Sequence, residues 1–323
     1  MTDDNMTAPM AALKRKYTIY GLIAVFIWGT STALGRSLAE SLGNITSTAI
    51  TCFCGGAIAL FAQIRTRGRA SFGHAPLKYW LICMPTMVLY RITVSLSIGI
   101  AQTREQVVTS SLIRQAWPLM TLIIAVIMFR KENKVSKWFI ASVLVCLCGI
   151  FIANASGSDY SVRGILANMQ DALWPCLLAF ISSVAWGLYS NFNRLLIGNG
   201  DYDCVGIFLM ASGVICFVIS LFVDEPRQFE VRQLGELLYS IVFIIFLATV
   251  MWNTSMRRGN HMIVIYVANF LPVIATVISA VFLHVSITPP LIIGSLLVVV
   301  GTVWAKMCIR PVAPEEPAQD AAK

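Results

Sequence analysis

The chain has 323 residues, of which 57% are hydrophobic and only 12% charged, and its mean hydropathy is +0.75. Such a composition excludes an ordinary soluble domain or a disordered chain and points to a polytopic membrane protein. The net charge of +8 is a topology signal rather than a nucleic-acid footprint, because Lys and Arg gather in alternate short loops and leave no basic face.

Residues 1–16 read as a polar, disordered start. Within them, Lys14-Arg15-Lys16 resembles the n-region of a signal peptide. The apolar run that follows is too long for one, and its pattern recurs later, so it is taken as a mature helix. Runs of about 20 apolar residues then recur along the chain. They predict an all-α polytopic membrane protein with ten transmembrane helices: 17–41, 45–65, 77–102, 106–129 and 134–154, then 171–197, 202–223, 234–256, 262–283 and 288–309. A linker at 155–170 joins the two sets, and 310–323, rich in Pro, Ala and Glu, reads as a disordered tail. With the amino terminus inside, about seventeen basic residues fall on the cytoplasmic side and about four (Arg104, Arg163, Arg227 and Arg232) on the periplasmic side. Both termini are therefore expected in the cytoplasm, and the linker in the periplasm.

The two sets resemble each other. Trp28-Gly29 and Arg36 recur as Trp186-Gly187 and Arg194. Gln115 and Pro118 recur as Asn269 and Pro272, and Gly149 recurs as Gly301. The offsets drift slowly, about 158, 154 and 152 residues, as unequal loops would produce. Five crossings per half place the second half upside down. Residues 17–154 and 171–309 are thus predicted to be inverted repeats, whose substrate site lies where the halves meet at mid-membrane.

The stretch Arg114-Gln115-Ala116-Trp117-Pro118 stands out. It interrupts an apolar run with a guanidinium, an amide, an indole and a proline. A charge at that depth costs about 2.5–3.5 kcal/mol on insertion scales, so it should face a cavity or a partner. Arg91 poses the same question in the third helix. For each arginine the alternative is a structural tie to carbonyls of neighbouring helices. Arg36 is expected to snorkel or to pair with Glu40, four residues on. Trp28, Tyr90, Trp117, Trp186, Trp252 and Tyr266 lie inside apolar runs, where interhelical packing competes with a pocket role. Gln115, Asn191, Asn253 and Asn269 add amides, with Asn193 a further candidate. Rings with amides and arginines suit a planar, amphipathic solute, whose carboxylate an arginine fork can hold. Trp80, Trp138 and Trp304, near helix ends, read as interface anchors. Pro85, Pro118, Pro175 and Pro272 are candidate hinges or kinks.

No carboxylate is expected near mid-membrane, which favours facilitated export without a proton relay. The nine cysteines form no metal-ligand spacing and read as small buried thiols, and no cofactor is implied. A membrane enzyme would need His, carboxylate or Cys at one depth, but His74, His261 and His284 fall in loops or at helix edges. A channel would need a filter loop or a ring of charge.

The five-plus-five plan, the openings at Trp28 and Trp186 and the proline-centred helices at Pro118 and Pro272 resemble the drug/metabolite transporter superfamily, EamA-type branch. The resemblance covers about 17–309. Tyr90, the Arg-Gln-Ala-Trp-Pro segment and the pocket aromatics resemble the bacterial aromatic amino acid exporters within it. It implies a multi-pass protein of the bacterial inner membrane that exports amino acids, aromatic ones first, by alternating access. An exporter of drugs or other planar metabolites is the alternative. The implied partners are a small-molecule substrate and the lipid bilayer. The oligomeric state stays open, with a monomer plausible. Family members often close the fourth and ninth helices with Glu. Here Glu132 follows the fourth, whereas His284 stands near that place after the ninth, so the pattern is asymmetric.

Overall fold

The computed structural model describes residues 8–68, 75–130, 133–153, 170–197 and 204–311, nearly all of them helical. The helices follow from the apolar runs, because lipid offers no partner to backbone N–H and C=O, and a helix satisfies them internally. In chain order they are α1 (Ala8–Gly29), α2 (Ser31–Leu42), α3 (Asn44–Arg67), α4 (Leu77–Gly99), α5 (Arg104–Gln115), α6 (Trp117–Met128) and α7 (Trp138–Ala153). Then come α8 (Leu173–Ile197), α9 (Val205–Ser220), α10 (Val231–Tyr239), a π-helical stretch (Ser240–Leu247), α11 (Ala248–Arg258), α12 (His261–Ala268), α13 (Leu271–Leu283) and α14 (Pro289–Met307). Among the described residues, seven helical segments are long and apolar enough to cross a membrane, and α7, α9 and α13 are shorter apolar helices. Large apolar side chains stay exposed on the outside, Ile127 at 71% and Phe217 at 58%, as a lipid-facing surface requires.

Several expected boundaries move. Residues 8–16 were expected to be disordered, yet α1 begins at Ala8. Ala, Met, Leu, Lys and Arg are good helix formers there, and Pro9 sits in the first turn, where its missing N–H costs little. The tail was expected to start at 310, but Ile309–Pro311 forms a short strand, β2, antiparallel to β1 (Asn133–Val135), with Val135 opposite Ile309. Three-residue strands carry no periodicity that a sequence could reveal. The remaining tail, residues 312–323, and all of the 155–170 linker except its last residue lie outside the described residues, as do residues 1–7 and Glu132.

Three expected single spans are broken helices. The first divides at Thr30, whose hydroxyl donates to the Ile27 carbonyl at 2.7 Å. The fourth divides at Ala116, between α5 and α6, two residues before Pro118. The ninth divides before Leu271, between α12 and α13, again just ahead of a proline, Pro272. The two proline breaks have one geometry. The N–H two residues before the proline turns back three residues: Ala116 to the Ile113 carbonyl at 3.1 Å, and Phe270 to the Val267 carbonyl at 2.9 Å. Proline supplies no N–H and its ring crowds the preceding turn, so the helix restarts. Pro85 lies inside the continuous α4. Pro175 lies in the first turn of α8, where an N–H is unpaired in any helix. The bend expected at Pro175 therefore has no backbone cause.

The helices pack α3 on α9, α7 on α14, α4 on α8 and α1 on α11. Gly149 and Gly294 let α7 and α14 touch backbone to backbone, since a Cβ on either would run into the other's carbonyl oxygen. At one end, Glu225 reaches over from the chain after α9. Its carboxylate accepts the Ile45 and Thr46 N–H groups and the Thr46 hydroxyl, each at 2.8 Å, and so caps α3. At that same end Glu40 takes both Arg36 at 2.8 Å and Arg104 at 2.7 Å. The expected Arg36–Glu40 pair is present, and Arg36 also holds the Ile98 and Ala101 carbonyls.

Candidate functional site

A cavity of about 570 Å³ lies between the two sets of helices, within the usual size of a small-molecule site. Its wall is built in patches. From α3 come Asn44, Ser47, Thr48 and Thr51, spaced three and four apart on one helix face. From α4 come Tyr79, Met87, Tyr90, Arg91, Val94, Ser95 and Ile98; from α8 come Trp186, Tyr189, Ser190, Asn193 and Ile197. The junction of α5 and α6 contributes Arg114, Gln115 and Trp117. Trp28, the α2 residues Ser31 and Gly35, the π stretch, Thr249 and Trp252 close the other side.

The aromatic residues form two groups. Trp186 is central to the first, with ring centroids 4.9 Å from Tyr90, 5.9 Å from Trp117 and 5.7 Å from Tyr189. The second is Trp28 against Trp252 at 5.2 Å, and the Trp28 indole N–H donates to the Ile244 carbonyl at 3.2 Å. The helix breaks bring Arg114 and Gln115 to this wall, since the turn at Ala116 ends α5 beside the cavity.

Polar groups in the wall divide into spent and unspent. Ser95 donates to the Asn44 carbonyl at 2.6 Å, and Thr48 donates to Ser95 at 2.9 Å. Tyr79 donates to Asn193 Oδ1 at 2.9 Å. Arg114, only 8% exposed, uses Nη2 on the Thr32 hydroxyl. By contrast, the Arg91 Nε and the Trp186 Nε1 are buried donors without a partner among the described residues. Buried N–H groups are rarely left so, and both belong to residues of this cavity. The Arg91 guanidinium also sits 5.5 Å from the Tyr90 ring centroid. What the arrangement can do is hold a flat ring among indoles and offer N–H donors to an acceptor beside it.

Of the residues singled out in the sequence, Trp28, Tyr90, Arg91, Arg114, Gln115, Trp117, Trp186 and Trp252 line the cavity. Asn191, Tyr266 and Asn269 do not. The Asn191 amide donates to the Thr121 carbonyl at 3.0 Å and the Gly187 carbonyl at 2.8 Å. Asn269 donates to the Ile265 carbonyl at 2.9 Å. The Asn191 amide thus ties α8 to α6, the ordinary fate of an amide in lipid, whereas the Asn269 amide turns back on its own helix, α12. Tyr266 is 45% exposed, with the Lys306 ammonium 4.9 Å from its ring centroid. The Asn253 side chain lies outside the described residues. Trp138 and Trp304 stack on each other, with centroids 6.3 Å apart. Sequence reasoning missed Tyr79, Tyr189 and the α3 hydroxyls. The hydroxyls had a signal, a polar stripe at helical spacing on an apolar helix.

Many apolar helices around an amphipathic, ring-lined cavity define a multi-pass membrane transporter rather than an enzyme. The chain belongs to the EamA-like transporter family, whose model matches residues 15–155 and 173–306. It is similar to the aromatic amino acid exporter YddG of Escherichia coli, 24% identical over 299 residues, which cover 92% of this chain and 99% of that one. The YddG proteins of Salmonella typhimurium and Ancylobacter novellus are each 23% identical and cover 92% and 91% of this chain, and 98% of their own length in both cases. A solved crystal structure superposes with a TM-score of 0.65 at 19% identity, over 91% of this chain and 99% of that one, and shows the same fold.

Proposed function

We propose that this protein exports aromatic amino acids and similar planar solutes across the bacterial inner membrane. It does so by alternating access around the central cavity, as two inverted five-helix repeats with ten crossings and both termini in the cytoplasm. One observation carries the reading: Trp186 gathers Tyr90, Trp117 and Tyr189 around a cavity that also holds Arg91 and Arg114. A solute with a ring and a carboxylate matches both features.

The packing supports the repeat. Exchanging each crossing for its partner in the other half turns the α4–α8 contact into α11–α1 and maps the α3–α9 contact onto itself. Gly29 faces Ile274 and Ala275 of the ninth crossing, and Gly187 faces Met120 and Thr121 of the fourth. Thr121 and Ala275 each stand three residues after the breaking proline. The pairs Tyr90–Trp186 and Trp252–Trp28 follow the same exchange. Binding is assigned to Trp28, Tyr90, Arg91, Arg114, Gln115, Trp117, Trp186 and Trp252, and bending to the breaks before Pro118 and Pro272. The names of the relatives support the substrate class.

The test is uptake of labelled phenylalanine, tyrosine, tryptophan and threonine into proteoliposomes, with and without a pH gradient. At least one aromatic amino acid is expected to enter without a gradient. Entry only when protons flow would defeat the uncoupled mechanism, and no aromatic entry at all would defeat the assignment.

A further inference from the structure

Among the described residues, the cavity wall contains two arginines and no aspartate, glutamate or histidine. The carboxylates that are engaged sit away from it: Glu40 is held by Arg36 and Arg104, Glu225 by the start of α3, and Glu236 by Arg232. Neither Arg91 nor Arg114 is in an ion pair among the described residues. An arginine keeps its charge in any protein, so this wall carries two uncompensated positive charges. An α-ammonium placed between them meets like charge and finds no carboxylate to offset it. A carboxylate there meets opposite charge from both guanidiniums, and the Arg91 Nε and Trp186 Nε1 beside it have no partner among the described residues.

We propose that the cavity recognises the ring and the carboxylate of its solute but not the α-ammonium. Aromatic monocarboxylates without an amino group therefore bind more tightly than the corresponding amino acids, and they cross as anions. The proposal rests on the reading of this cavity as the transport site and changes which aromatic solute it prefers. It also supplies a driving force that needs no proton relay. A membrane potential negative inside expels an anion, and 100 mV sustains a gradient of about fiftyfold for one charge.

Three probes separate the groups: phenylalanine, 3-phenylpropionate, which lacks the ammonium, and phenethylamine, which lacks the carboxylate. Binding to the full-length protein in nanodiscs is read by tryptophan fluorescence. Charge movement in proteoliposomes is read on a solid-supported membrane, with protein-free liposomes as the blank. The expected result is a Kd for 3-phenylpropionate at least tenfold below that for phenylalanine. Phenethylamine should be weakest, and a transport current should appear for 3-phenylpropionate but not for phenylalanine. Arg91→Gln should weaken 3-phenylpropionate by tenfold or more and phenylalanine by less, while Arg91→Lys should keep the current. Phenylalanine binding as tightly as 3-phenylpropionate, or an absent current, overturns this inference and leaves the exporter reading standing. If none of the three binds or moves, both fall.

Discussion

The hydroxyl of Tyr79 on α4 donates to Oδ1 of Asn193 on α8 at 2.9 Å, at the end of the cavity where α4 begins and α8 finishes. The Tyr79 ring packs on Phe208 of α9, with centroids 5.4 Å apart, and is wholly buried. This joins three helices across one mouth, the cytoplasmic one in the proposed topology. In the proposed repeat the partner of Asn193 is Gly35, which has no side chain to make the equivalent bond at the other mouth. The pair is therefore expected to act as a one-sided bolt in that arrangement.

Removing the bolt should open that mouth. One neutral hydrogen bond contributes about 1 kcal/mol, which shifts a two-state population roughly fivefold. Cys83 and Cys204 lie buried in the same cluster. In inside-out vesicles, Tyr79→Phe is expected to raise their labelling by a membrane-impermeant maleimide severalfold. An unchanged labelling rate removes the bolt from the mechanism.

Trp186 touches three rings, Tyr90, Trp117 and Tyr189, whereas among the described residues Trp117 touches Trp186 alone. Aromatic pairs contribute about 0.5–1.5 kcal/mol each beyond area burial. Trp186→Ala should therefore cut aromatic transport by more than tenfold, and Trp117→Ala by less. Membrane expression of both should persist, as judged by immunoblot. Equal, normal transport by the two variants would falsify the aromatic site.

Gly187 meets the backbone of Met120 and Thr121 where α6 restarts after Pro118. A larger residue has no room there, so Gly187→Leu must push α8 off α6. The amount of monodisperse protein after solubilisation should fall severalfold. A well-behaved Gly187→Leu protein would show that the approach is not required.

Glu225 caps α3 from a distant loop through three acceptor contacts. Glu225→Ala leaves the Ile45 and Thr46 N–H groups without that partner, a loss of about 1–3 kcal/mol. The melting temperature should drop by several degrees in a thermal-shift assay, while binding of phenylalanine in the cavity is unchanged at low temperature. A melting curve identical to that of the parent protein would show the cap to be ornamental.

Asn191 and Asn193 show how far reading residues in order can go. Both are amides on the eighth helix, two residues apart. Adjacent odd positions on a helix point to different faces. Nothing local says which face meets the cavity, and the packing of α8 against α4 and α6 assigns it to Asn193. Tyr266 lies inside an apolar run like the other rings, and the orientation of α12 carries it outward. Trp28, Tyr90, Arg91, Arg114, Trp117, Trp186 and Trp252 were legible because each is an aromatic or a cation too deep in an apolar run to be filler.

The composition, the order of apolar runs and the aromatics and cations within them were enough to define the class of molecule and its mainly helical fold. These are one-dimensional properties, because hydropathy, proline chemistry and charge act on neighbouring residues. The tertiary structure decided which face of each helix looks inward, which donors remain unspent among the described residues and which side chains join α4 to α8. Those depend on groups far apart in the chain: Tyr79 and Asn193, Glu225 and Ile45, Trp28 and Trp252. Only the folded packing of both halves brings their side chains within reach.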